Sequence, residues 1–228
     1  MFYKNSGKGC LSAHFSCGVV ERVLNVAWEL QVGVTSLFRK VFGHGRRHGA
    51  CDAGIGGGKG VDAEKAFDAF LDCRPEFFAV LRDEGPAFGA SEVVSPAPDL
   101  AGEGMTETAK VTFAAPIDVD GIRLLKYSQM KAAGQPDAWW WGFVTDRAPK
   151  DLADAIRVRE PTAEFFVQGE VIFRVIEEGK SGGGTASART MMINESGNPN
   201  QSLVLCIVTS DLMGDMTSLP DVSGMFRQ

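Results

Sequence analysis

Apolar residues recur along this chain with two different periods, and the change of period divides it. From Val19 to Phe42 they return every three or four positions, as at Val23, Leu24, Ala27, Leu30, Val34 and Leu37, with Glu21, Arg22, Asn25, Glu29 and Gln31 mostly between them. That spacing predicts an amphipathic helix with a broad apolar face. A basic cluster follows (Arg39, Lys40, Arg46 and Arg47), and cations suit the negative end of a helix. Residues 43–61 are so rich in glycine that ordering them is entropically costly, so they read as a linker. The chain therefore divides into an N-terminal arm over 1–61, a domain over 62–210 and a mobile C-terminal tail over 211–228, where periodicity is lost.

The domain opens with helical spacing. Asp62 is placed to cap a helix over about 63–72, with Ala63, Ala66, Phe67, Phe70 and Leu71 on one face. Pro75 suits the first turn of a second helix, 75–84, which Gly85-Pro86 ends. Residues 86–105 read as an irregular connector. From Thr106 onward the period falls to two. Val111 and Phe113 alternate with Lys110 and Thr112, Asp118–Gly121 supplies a turn, and strands follow over Ile122–Met130 and Asp137–Thr145. A short helix from Pro149 to about Val158 comes next, then a long strand over Ala163–Ile176 with Gly169 read as a bulge or a close backbone approach. Thr185–Asn194 and Gln201–Thr209 complete the set, the last apolar on both faces. The order αα-βββ-α-βββ predicts an α+β fold, a mainly antiparallel six-stranded sheet with helices on one face. The two halves share no sequence similarity that would make them repeats.

Charge sharpens the division. Residues 1–60 carry eight Lys/Arg against three Asp/Glu (net +5), and residues 61–228 carry fifteen against twenty-six (net −11). An acidic body repels phosphate backbones, so nucleic-acid binding by the domain is not expected. Three readings compete for the arm: a helix packed on the domain, a peripheral membrane or partner helix through residues 19–42, and a leader or unfolded extension. Glu21, Arg22 and Glu29 interrupt what would be the apolar core of a secretory signal. A cytoplasmic location is therefore slightly favoured, with export left open, and Cys73 and Cys206 are expected as two buried thiols, with a single bridge as the alternative if the protein is exported.

Candidate chemistry is sparse. His14, His44 and His48 all precede the domain, which therefore has no imidazole for general-base work or for ligating zinc. The arm's Cys10, His14, Cys17 and His44, His48, Cys51 match no known metal-module spacing. Gly54–Gly60 lacks the first glycine and the hydroxyl of a phosphate loop. Asp118 and Asp120 are explained by a turn, since no bidentate glutamate follows to complete a calcium loop. No metal or cofactor is expected. The unusual feature is Trp139-Trp140-Trp141, which in a strand places rings on both faces; Phe143 marks the Trp139/Trp141 side as core and leaves Trp140 as the surface candidate. The leading expectation is a non-enzymatic binding or accessory module whose sheet face or aromatic strand contacts a protein partner. The alternative is a small-molecule-binding or carboxylate-dependent hydrolytic domain with a pocket between helices and sheet, lined by Tyr127, Trp140, Gln168, Glu170 and Arg174.

Overall fold

A computed structural model of the chain describes residues 60–94, 105–132, 138–180 and 186–226. The expected helix over 19–42 and the glycine-rich linker lie outside them. Two helices come first, α1 (Gly60–Leu71) and α2 (Glu76–Glu84). A 3₁₀ turn at Gly85–Phe88 leads to β1 (Ala90–Val94). Strands β2 (Met105–Val119), β3 (Ile122–Ala132) and β4 (Ala138–Thr145) follow, then α3 (Pro149–Arg159). The last strands are β5 (Phe166–Gln168), β6 (Val171–Lys180), β7 (Ala186–Glu195) and β8 (Ser202–Thr209). A 3₁₀ turn at Ser210–Leu212 and a short helix, α4 (Ser223–Phe226), end the described chain.

The fold is α+β, as expected, with one fully antiparallel sheet. It has eight strands rather than six, in the order β1-β2-β3-β4-β8-β7-β6-β5. Both extra strands have a local cause. Ala90–Val94 lies in the segment read as a connector, and it pairs with β2 through an irregular register between Ala90 and Glu92. The long strand expected over Ala163–Ile176 is a hairpin instead. Gln168 pairs with Val171 across the two-residue turn Gly169-Glu170, and φ is positive at Gly169 (60°) but not at Glu170. Gly at the first central position of a tight hairpin supplies a backbone that an L side chain resists. Its position on the apolar period reflected a chain reversal, not a bulge. Asp120-Gly121 forms the turn foreseen between β2 and β3, with positive φ at both residues and Gly121 N–H donating to Asp118 Oδ1 at 3.0 Å.

Alternation assigns the sheet two faces. On one lie Val111, Tyr127, Phe143, Trp141, Cys206, Val204, Met191 and Ile193, which pair across neighbouring strands. All the helices among the described residues pack on this side. α1 buries Ala63, Ala66, Phe67, Phe70 and Leu71, α2 buries Phe77, Phe78 and Leu81, and α3 buries Leu152, Ala153 and Ile156, all in one cluster with those strand residues. Phe70, Phe77 and Phe88 ring Phe143 at 5.0–6.3 Å between centroids. Each such ring, fully buried, contributes about 1.5–3 kcal/mol. α1 begins at Gly60, so Asp62 falls inside its first turn rather than at its cap.

Two expectations about chain ends and cysteines are overturned. Residues 211–226 are not a loose tail: Met213, Val222, Met225 and Phe226 are buried in the helix-side core, where Phe226 lies 5.4 Å from Tyr127 and 5.8 Å from Phe88. Cys73 and Cys206 are joined as a disulfide, with Cα atoms 5.3 Å apart. Cys73 ends α1 with φ of 50°, a left-handed conformation normally left to glycine, and its N–H donates to the Phe70 carbonyl. The bridge thus pins the end of α1 onto the central strand β8.

Candidate binding surface

The five residues expected to line a pocket do not converge. Tyr127 is on the helix side, fully buried between Phe77 and Phe143; its hydroxyl accepts from Gln129 Nε2 at 3.2 Å, and that amide also donates to the Pro220 carbonyl at 3.1 Å. Burial pushes its phenol well above the usual range. Arg174 shares that side, ion-paired with Glu160 and donating to the Leu71 carbonyl, so it closes the α1 and α3 ends against β6. Glu170 is exposed in the β5–β6 turn. Trp140 lies on the opposite face, and so does Gln168, several strands away at the sheet edge. Two of the five serve the core and its margin, one is a turn residue, and the other two are separated.

The face turned away from the helices is itself apolar. Its centre is a cluster of Met130, Trp140, Val144, Val171, Phe173, Met192, Leu203 and Leu205, with Leu125, Ala138 and Ile207 packed against it. Every member comes from a strand. The expectation that Trp140 is a surface residue fails: it is 1% exposed, with Met130 and Ile207 as cross-strand neighbours. Phe143 did mark the helix-side core correctly, but a strand apolar on both sides buries both sets of rings. Two buried polar atoms on this face, Trp140 Nε1 and Thr190 Oγ1, have no hydrogen-bond partner among the described residues, and neither has Gln168 Oε1 at its edge. Thr190 and Trp140 flank Ile207 in one row across β7, β8 and β4. At the β2–β3 end the face turns polar, where Ser128 Oγ donates to Glu107 Oε1 at 2.6 Å. Burial first, then the neighbouring Lys110, lowers the affinity of the Lys126 amine for its proton.

The exposed apolar side chains concentrate elsewhere. Val158 (84%), Val167 (72%) and Phe166 (52%) follow closely along the chain at the end of α3 and in β5. β5 is the terminal strand of the sheet, paired on one side only, with β6. Phe166 pairs with Phe173 and therefore belongs to the side away from the described helices, while Val167, paired with Ile172, points to the other. Behind them Arg157 lies over the Phe165 ring, 5.0 Å from its centroid, and donates to Asp154 at 2.6 Å. The far edge, β1, carries one comparable residue, Val94 (46%). The sequence held this signal in Phe165-Phe166-Val167, but a continuous strand placed those residues in the interior of the sheet rather than at its rim.

Among the described residues no three His, Cys, Asp or Glu side chains are grouped to hold a metal ion, and no helix is long and apolar enough to cross a membrane. The Cys/His clusters at 10–17 and 44–51 lie outside those residues. Searches for a matching family model, a similar curated protein and a similar solved structure return none.

Proposed function

We propose that this chain is a non-enzymatic binding module that engages a protein partner at the β5 edge. The observation that carries this reading is the coincidence of a terminal strand of the sheet with two of the most exposed large apolar side chains among the described residues, Phe166 and Val167. An edge strand offers unpaired backbone donors and acceptors, and proteins ordinarily protect it with charge, proline or cover. Here it carries a phenylalanine and a valine, one to each face. An extended partner segment added alongside β5 would gain main-chain hydrogen bonds and set alternate side chains against Phe166 and Val167. β5 is short, so such a contact is of the weak, exchangeable kind.

The hydrolytic or small-molecule alternative finds no comparable support, since Tyr127, Trp140, Gln168, Glu170 and Arg174 are distributed over both faces and a turn. The test is a selection of displayed random peptides on the wild-type protein, counter-screened with Val167→Asp. Val167 is exposed, so its unfolding midpoint should be unchanged. Enriched extended sequences whose binding falls at least tenfold on V167D support the reading; peptides that bind both proteins equally, or no enrichment, overturn it.

A further inference from the structure

We infer that the face of the sheet turned away from the described helices is the docking surface for the chain's own segment 19–42. A sheet with one wet face leaves the tips of its outward side chains in water, yet the eight strand residues at the centre of this face are 0–6% exposed and no described helix contributes to their cluster. Trp140 Nε1 and Thr190 Oγ1 lie among them without partners among the described residues. Such a surface calls for a cover that is apolar along one stripe and polar at its flanks. Segment 19–42 has that pattern, with Val23, Leu30, Val34 and Leu37 on the stripe and Asn25, Glu29 and Gln31 beside it.

Dimensions and charge agree. A helix over 19–42 is about 36 Å long, and eight strands side by side span about 34 Å. α1 begins at Gly60 on the opposite side of the sheet. The glycine-rich stretch over 43–59 reaches up to roughly 55 Å when extended, enough to pass round a sheet edge from one layer to the other. The arm is net positive and the domain net negative, so the two halves attract. Covered in this way, the sheet becomes the middle of three layers, consistent with strands β4 and β8 being apolar on both sides.

The test uses the full-length chain with a photo-activated phenylalanine analogue at Leu125 or, separately, at Ile207, both only partly buried on this face. The expected product is a cross-link within one chain, mapped to residues 19–42, whose yield falls at least tenfold when Leu30→Asp and Leu37→Asp are combined. A cross-link joining two copies would make the face a dimer interface, and a product confined to solvent would leave it bare; either overturns the inference. A second readout avoids the analogue. With Trp28→Phe as background, L30D/L37D should raise quenching of tryptophan emission by acrylamide several-fold as Trp140 is uncovered, and unchanged quenching contradicts the inference.

Discussion

Removing the Cys73–Cys206 bridge is the perturbation with the largest effect that can be worked from the structure. The two residues are 133 positions apart. Closing a loop of that size removes chain entropy worth about 5 kcal/mol from the unfolded state, and native disulfides typically contribute about 2–5 kcal/mol when strain and residual structure are included. Both sulfurs are buried, so truncation to alanine adds a packing loss. Ala at position 73 keeps the left-handed backbone (φ 50°) that Cys73 already bears, so that strain, about 1–2 kcal/mol for an L residue, cancels in the comparison with the native chain. Cys73→Ala with Cys206→Ala should therefore lose between about 3 and 5 kcal/mol. Cys73→Gly with Cys206→Ala should recover roughly 1 kcal/mol of that, because glycine accepts the positive φ. Urea unfolding of the oxidised, reduced and substituted proteins measures each difference. The slope should also rise when the link is absent, since an uncut loop keeps the unfolded chain compact. An unreduced digest in which the peptides bearing Cys73 and Cys206 run separately would refute the bridge. A loss below about 1 kcal/mol would refute its assigned weight. Persistent disulfides belong to oxidising compartments, so the bridge argues against the cytoplasmic location favoured from the sequence.

Other substitutions probe the packing. A Cβ at Gly142 would stand 1.8 Å from the Val204 carbonyl oxygen, so Gly142→Ala must push β4 from β8 and should cost about 3 kcal/mol in urea unfolding. Phe226→Ala should cost about 3 kcal/mol by the same measurement, whereas a loose tail would register almost nothing. The Tyr127 phenol titrates higher in the folded than in the unfolded protein, where its pKa is about 10. Its contribution is therefore complete below about pH 10 and is lost as pH rises beyond it, by up to about 1.4 kcal/mol per unit. Alkaline denaturation followed by tyrosinate absorbance should show that phenol ionising only with unfolding, and Tyr127→Phe should remove the component.

Periodicity made most of the architecture legible. α2, α3 and strands β2, β3, β4, β7 and β8 lie close to where spacing and turn residues put them, because one stripe or one face of each is buried. What escaped had no periodic signature. Met213, Val222, Met225 and Phe226 reach the core from an irregular segment, where apolar residues follow no repeat. The β5–β6 hairpin turns on Gly169, whose sign of φ is invisible in the sequence and separates a reversal from a bulge. The Cys73–Cys206 pair depends on α1 lying over β8, a tertiary relation among five cysteines that spacing leaves open. For the candidate surface, the three tryptophans pointed to β4 as a central element. They misplaced exposure, because Phe143 marks one face alone as core, and the two-sided apolar pattern of Gln201–Thr209 was not carried over to its neighbour β4.

The strand order has a kinetic consequence. β1 to β4 and β5 to β8 are two meanders in which each strand pairs with a sequence neighbour, and only β4 against β8 joins distant parts of the chain. Each meander can find its alignment through its own short loops, whereas the seam from Ala138↔Thr209 to Thr145↔Ser202 must be found by diffusion of one half against the other. A slip of one residue there would turn Trp140 and Trp141 to opposite sides and strand Cys206 away from Cys73. The slow event in refolding is accordingly the zipping of this seam, and substitutions along it should retard folding while those at the outer strands mainly hasten unfolding.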